Sequence, residues 1–156
     1  MVAAIIVIGW KMFRIDSQLE RDTVRVAALP LCDMLLMNDA NYPWLILVPR
    51  RASIRELIEL NDHDQQQYQL ESNMTSQLLQ GQFKADKLNI AALGNIVSQL
   101  HIHHIARFYH DSAWPKPVWG VLPPLAYTPD ELAKALHLIL SGLKSQTLVA
   151  FDWQQG

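Results

Sequence analysis

The segment between residues 97 and 108 constrains this chain more than any other. It reads Val97, Ser98, Gln99, Leu100, His101, Ile102, His103, His104, Ile105, Ala106, Arg107 and Phe108. That pattern predicts a strand over 97–108, and strand side chains alternate faces with a period of two. Gln99, His101, His103 and Ile105 then share one face, while Leu100, Ile102 and His104 share the other. Same-face neighbours on a strand are spaced about 7 Å apart. Residues 88–93 read as the partner strand, with Gly94 and Asn95 as the turn. A paired strand with one polar and one apolar face commits the chain to a sheet with a core on one side.

The rest of the pattern supplies what packs on that sheet. A short helix is expected near residues 16–21, followed by an extended run over 23–29 that Pro30 interrupts. Residues 31–37 and 44–48 are apolar and strand-length, with the turn formers of 38–43 between them, which predicts a hairpin with a six-residue loop. Ser53 and Glu56 have capping-box spacing, so a helical turn is expected there. A helix is expected over about 62–80, with Leu70, Met74 and Leu78 on one face and Gly81 as its end. Thr128 and Glu131 form another capping box, with Pro129 at the first helical position. The helix that follows, over 129–143, carries Leu132, Leu136, Ile139, Leu140 and Leu143 on its apolar face. Residues 111–127, dense in Pro and Trp, should be irregular. Hairpin, helix, hairpin, helix is the order of an antiparallel α+β domain.

Composition narrows the function classes. At 156 residues the chain is sized for one domain, typically about 100–200 residues. Hydrophobic residues make up 50% and charged residues 18%, which is too apolar for disorder. Thirteen Lys and Arg against 15 Asp and Glu leave no basic surplus for nucleic-acid phosphates or an anionic membrane. The lone Cys32 excludes an internal disulfide and a multi-cysteine zinc site, so a cytoplasmic setting is expected. The apolar opening, residues 1–10, is far shorter than the about 20 residues of a spanning helix. It also lacks the basic start of a secretory signal. It reads as a terminal strand or tail, or as an extension upstream of a natural start at Met12.

The histidine face admits three readings. His101 is a nucleophile or general base activated by a neighbour. His101 and His103 are two ligands of a metal, since His-x-His on a strand can chelate; a third ligand would come from His63, Asp62, His110 or Asp111. Or they are ordinary polar residues of a half-exposed strand. Two histidines in line with an amide favour a functional face.

Residues 97–107 resemble the signature of the histidine triad (HIT) superfamily, in which three histidines alternate with apolar residues. Asn89, Gly94 and Asn95 sit where that family has an Asn and then Gly-Gln, and residues 45–49 resemble its strand ending in Pro. The segment 113–120 is similar to a bacterial branch described as diadenosine tetraphosphate hydrolase-like. The resemblance covers about residues 12–122, which implies a HIT domain there and a C-terminal helix and tail, 123–156, packed on it. Five positions depart from the pattern: at four of them Gln99 replaces the first histidine, His104 an aliphatic residue, Ala106 a Pro, and Trp44 a further His. Ile96 takes the place of a Ser or Thr that assists the leaving oxygen.

The resemblance implies a HIT-like α+β fold, with an antiparallel sheet of about five strands and two main helices. It implies a nucleotide hydrolase or nucleotidyl transferase acting at the α-phosphate through a covalent nucleotidyl-histidine. His101 would be the nucleophile, oriented by the main-chain carbonyl of Gln99, and His103 would contact phosphate oxygens. Asn89 and Asn95 would hydrogen-bond the same oxygens, and Asn38 the ribose. Phe13 and Ile15 lie near the purine slot, and Trp114 and Trp119 either cover the site or pin the irregular segment. No cofactor or protein-bound metal is expected, with magnesium arriving only on substrate. The expected partner is a nucleotide, with neither nucleic acid nor membrane, in a homodimer. The alternatives are a catalytically weak nucleotide-binding module, suggested by Gln99 and Ile96, and the His-x-His metalloenzyme.

Overall fold

The structure, a computed structural model, describes residues 12–146; the extension expected over 1–11 and the last ten residues, 147–156, lie outside the described residues. The elements in chain order are α1 (Ser17–Asp22), β1 (Thr23–Ala28), β2 (Cys32–Met37), β3 (Trp44–Pro49), α2 (Asp62–Phe83), β4 (Lys87–Ala91), β5 (Ile102–Arg107) and α3 (Pro129–Ser145). The strands form one five-stranded sheet in the order β1-β2-β3-β5-β4, antiparallel throughout. This is the α+β architecture that the alternation of hairpins and helices predicts. Among the described residues no helix is long and apolar enough to cross a membrane.

Register divides the sheet into two faces. Leu35, Ile46, His103 and Ala91 are paired in a row across β2, β3, β5 and β4, so they share one face. Met34, Leu47 and Ile102 form a row on the other. That second face packs under α2 and α3, where Leu36, Leu45 and Ala106 meet Met74, Leu78, Ile139 and Leu143. The first face is covered more thinly, by Leu19 of α1 and by Val97, Ala113 and Val118 of the irregular segments. A thin cover leaves room for a cleft, and the histidines are on that side.

Local chemistry explains where the elements differ from expectation. The connection between β4 and β5 is residues 92–101, not a two-residue turn at Gly94 and Asn95, so Gln99 and His101 approach the sheet before the strand begins. Ser53 has φ 63°, in the left-handed region, and caps no helix. The helical turn forms later, as a 3-10 turn over Leu57–Glu59, where the Glu59 carboxylate accepts from the N–H groups of Arg55 and Glu56 at 2.6 and 2.9 Å. Helix α2 starts where the Asn61 side chain accepts from Asp64 N at 2.8 Å. It runs through Gly81 to Phe83 and stops at Lys84, whose φ of 58° makes the left-handed cap. Leu70 is exposed, because the buried face of α2 carries Tyr68, Glu71, Ser72 and Thr75 beside its apolar residues. The Glu71 carboxylate accepts from Leu31 N at 2.7 Å and Cys32 N at 2.9 Å, which ties α2 to the β1–β2 turn. Helix α3 has the expected Thr128–Glu131 box and extends two residues past 143.

Candidate functional site

The site is built upward from the end of the 92–101 connection. His101 lies two residues beyond Gln99, and its Nδ1 is 2.7 Å from the Gln99 carbonyl oxygen. A carbonyl only accepts, so Nδ1 carries the proton and Nε2 keeps its lone pair. The Gln99 side chain points elsewhere: its Oε1 accepts from Asp16 N and its Nε2 donates to the Arg14 carbonyl, both at 2.8 Å. Asp16 in turn caps α1 by accepting from Gln18 N at 2.8 Å. The first position of the motif thus orients the histidine through its backbone and anchors α1 through its amide.

His103 sits on β5 opposite Ile46 of β3, and its ring centroid is 4.9 Å from that of His101. The indole N–H of Trp44 donates to His103 Nδ1 at 3.0 Å. Trp119 completes an aromatic cage, edge-on to both Trp44 and His103 at 5.6 and 5.3 Å. Burial, with His101 and His104 nearby, pushes His103 down to about 3, so the ring is neutral at pH 7. His104 belongs to the opposite face, where its Nε2 lies 2.8 Å from Ser72 Oγ of α2.

His101 and His103 open into a cleft of about 280 Å³ between α1, the 93–97 turn and Trp119. Leu19, Met37 and Ile46 give it an apolar wall, and Gln18, Asp22 and Asn95 line it with polar groups. The cleft therefore offers an apolar slot beside a lone pair and several hydrogen-bonding groups, which suits a ligand with a flat ring and an anionic group.

Of the residues singled out from the sequence, His101, His103, Asn95, Ile96 and Trp119 come together at this cleft. Gln99 lies behind His101. Asn89 lines a separate groove with Lys87 and Trp119, and its Oδ1 accepts from Arg107 at 2.6 Å. Asn38 does not line the cleft; its Oδ1 accepts from Tyr127 N at 3.1 Å. Phe13 lines an open groove on the far side of Gln99, with Arg14 and Arg55, and Ile15 packs into the core beneath. Trp114 pins instead of covering, 5.6 Å from the guanidinium of the buried Arg107. Arg107 organises the irregular segment through both oxygens of Asp111, at 2.8 and 3.0 Å, and the Lys116 carbonyl. Among the described residues, no three His, Cys, Asp or Glu side chains gather where one ion could be held, so the His101–His103 pair has no third protein ligand there.

Sequence reasoning missed Gln18 and Asp22. They are four residues apart on α1, and that spacing, with Leu19 inward, is the signal that places them on one helix face. It also noted Trp44 only as a departure.

The comparisons agree with this geometry. No curated protein matches the chain. Three crystal structures described as histidine triad proteins are similar along nearly their whole length. One from Bradyrhizobium japonicum is 46% identical, with TM-score 0.82, over 84% of this chain and 98% of its own. One from Marinobacter aquaeolei VT8 is also 46% identical, with TM-score 0.83, over 86% and 98%. A third, from Sinorhizobium meliloti 1021, is 45% identical, with TM-score 0.81, over 83% and 96%. The HIT domain family matches residues 18–110, from α1 to just past the histidines. With that match, and with His101 and His103 set at one cleft of an α+β sheet, the chain belongs to the histidine triad (HIT) family.

Proposed function

We propose that this protein hydrolyses, or transfers, the nucleotidyl group of a nucleotide substrate at its α-phosphate, with His101 as the nucleophile. The observation that supports this most is the 2.7 Å contact between His101 Nδ1 and the Gln99 carbonyl, which leaves Nε2 with its lone pair in a ring that lines the cleft. Nε2 bonds to phosphorus as the bond to the leaving oxygen breaks. The imidazole becomes cationic, and the Gln99 carbonyl stabilises it by accepting from Nδ1–H. Water then attacks the same phosphorus and releases a proton to solvent, the bond to Nε2 breaks with its electron pair returning to nitrogen, and a nucleoside monophosphate leaves with the neutral histidine restored. His103 and Asn95 donate to the phosphoryl oxygens. Asn89 and Asn38 spend their Oδ1 atoms on Arg107 and the Tyr127 N–H, so any contact they make to the substrate is a donation from the amide Nδ2.

The exposed Ile96 at the cleft mouth can donate no proton to a departing atom. A leaving group stable as an anion is therefore favoured, which points to phosphoanhydrides such as dinucleoside polyphosphates over phosphoramidates. We propose further, from the family resemblance, that the protein works in the cytoplasm as a homodimer, with magnesium entering only on the substrate. The second reading, a catalytically weak nucleotide-binding module, is favoured by that same Ile96.

His101→Ala separates them. Turnover of diadenosine tetraphosphate should fall by at least about a thousandfold, while calorimetric affinity for adenosine monophosphate stays within about fivefold. Turnover within about tenfold of the wild type would remove His101 as nucleophile. A wild type that binds the monophosphate without turnover of any dinucleoside polyphosphate would favour the binding module.

A further inference from the structure

We propose that Trp44 is a positioning residue that fixes the tautomer of His103, so that the cleft always pairs one lone pair, on His101, with one neutral donor, on His103. The indole N–H is a donor only, and it is 3.0 Å from His103 Nδ1. Nδ1 must therefore accept, and the single proton of the neutral ring resides on Nε2. For His101 the logic is reversed, because its Nδ1 faces the Gln99 carbonyl, an acceptor only. Two histidines whose rings lie 4.9 Å apart are thus set in opposite tautomers by two partners that cannot change roles.

The surroundings reinforce the assignment. Trp44 is buried on β3, and the edge-on contact between its ring and that of Trp119 leaves the indole little freedom to turn away. Among the described residues, the charged or titratable groups facing His103 are few. His101 is beside it on the same face, His104 is next in sequence on the opposite face, and Asp22 of α1 lines the cleft. The β3 neighbours, Trp44 and Ile46, and the covering Trp119 carry no charge. A histidine at position 44 could donate or accept and would leave both tautomers of His103 open; an indole leaves one. The consequence rests on the hydrolase reading above: His103 recognises a phosphoryl oxygen as a neutral hydrogen-bond donor through Nε2–H.

The tautomer can be read without substrate, which separates this proposal from the fate of that reading. Long-range proton–nitrogen NMR spectra of the full chain, with His103→Gln used to assign the ring, report which nitrogen carries the proton. The wild type should show His103 protonated at Nε2 and hydrogen-bonded at Nδ1, unchanged from pH 8 to about pH 5. In Trp44→Phe the two His103 nitrogens should average toward mixed tautomers. The kcat for a dinucleoside polyphosphate should also fall by about tenfold, with KM within about threefold. A wild-type spectrum with the proton on Nδ1 would overturn the proposal, whether or not Trp44→Phe folds. So would a Trp44→Phe protein that folds and keeps the wild-type His103 pattern.

Discussion

At the scale of single residues, Gln99 separates two tasks that one position of the motif performs. Its carbonyl orients His101, and any residue supplies a carbonyl. Its amide fastens the approach to α1 through Arg14 O and Asp16 N. Gln99→His should then change kcat/KM by less than about tenfold, or about 1.4 kcal/mol. Gln99→Ala should cost more, because Asp16 N and Arg14 O lose their partner, typically about 1–3 kcal/mol. The loss should appear mainly in KM, since α1 carries Gln18 and Asp22 into the cleft; steady-state kinetics of both variants check this, and an Ala variant equal to the wild type would contradict it. The central pair was legible in the sequence because His101 and Gln99 interact across two positions of one local segment. Asn38 and Asn89 were less so: their partners Tyr127 and Arg107 stand 89 and 18 positions away, and a turn residue or strand amide gives no sign of such a distant bond.

At the scale of elements, α2 shows why apolar periodicity holds for Met74 and Leu78, which lie in the core, but not for Leu70. Its buried side mixes Met74, Leu78 and Leu79 with polar groups that find partners on the sheet, so Leu70 looked like core and Glu71 did not. Glu71→Ala would strand the Leu31 and Cys32 N–H groups, and at about 1–3 kcal/mol for each it should destabilise the fold by about 2–6 kcal/mol. Urea unfolding at constant m-value measures this. A loss under about 1 kcal/mol would show that water replaces the carboxylate. Gly142 of α3 makes the matching point between helices, because a Cβ there would stand 2.9 Å from Leu78 Cγ and Gln82 Cγ of α2. The capping boxes illustrate both outcomes. Thr128 and Glu131 are the cap they resemble, while Ser53 is diverted into a left-handed turn and leaves the helical turn to start later.

At the scale of the whole molecule, the two faces of the sheet set a pH dependence of stability. Burial, with His101 and His104 nearby, pushes His103 down to about 3. Burial pushes His104 down to about 4, against the hydrogen bond to the Ile102 carbonyl. In the unfolded chain both take up protons near 6.5. Between that value and about 4 the unfolded state binds more protons than the folded one, so stability falls as the pH is lowered. Each histidine contributes at most about 1.4 kcal/mol per pH unit in that window. Asp111 adds to the loss only in stronger acid. Burial pushes its carboxyl up, but Arg107 and the Phe108 and Ala113 N–H groups outweigh that and hold it at about 2. The Tm should therefore drop steadily from pH 7 to pH 4.5, and a flat Tm across that range would contradict the neutral, buried state of both rings. The most direct test of the catalytic reading is the mass of the intact protein, quenched in alkaline denaturant milliseconds after mixing with diadenosine tetraphosphate, because the phosphorus–nitrogen bond of a nucleotidyl-histidine hydrolyses in acid. The expected result is a gain of one adenylyl group, mapped by peptide sequencing to His101 and absent from His101→Ala. Turnover with no adduct on His101 at any time point would contradict it.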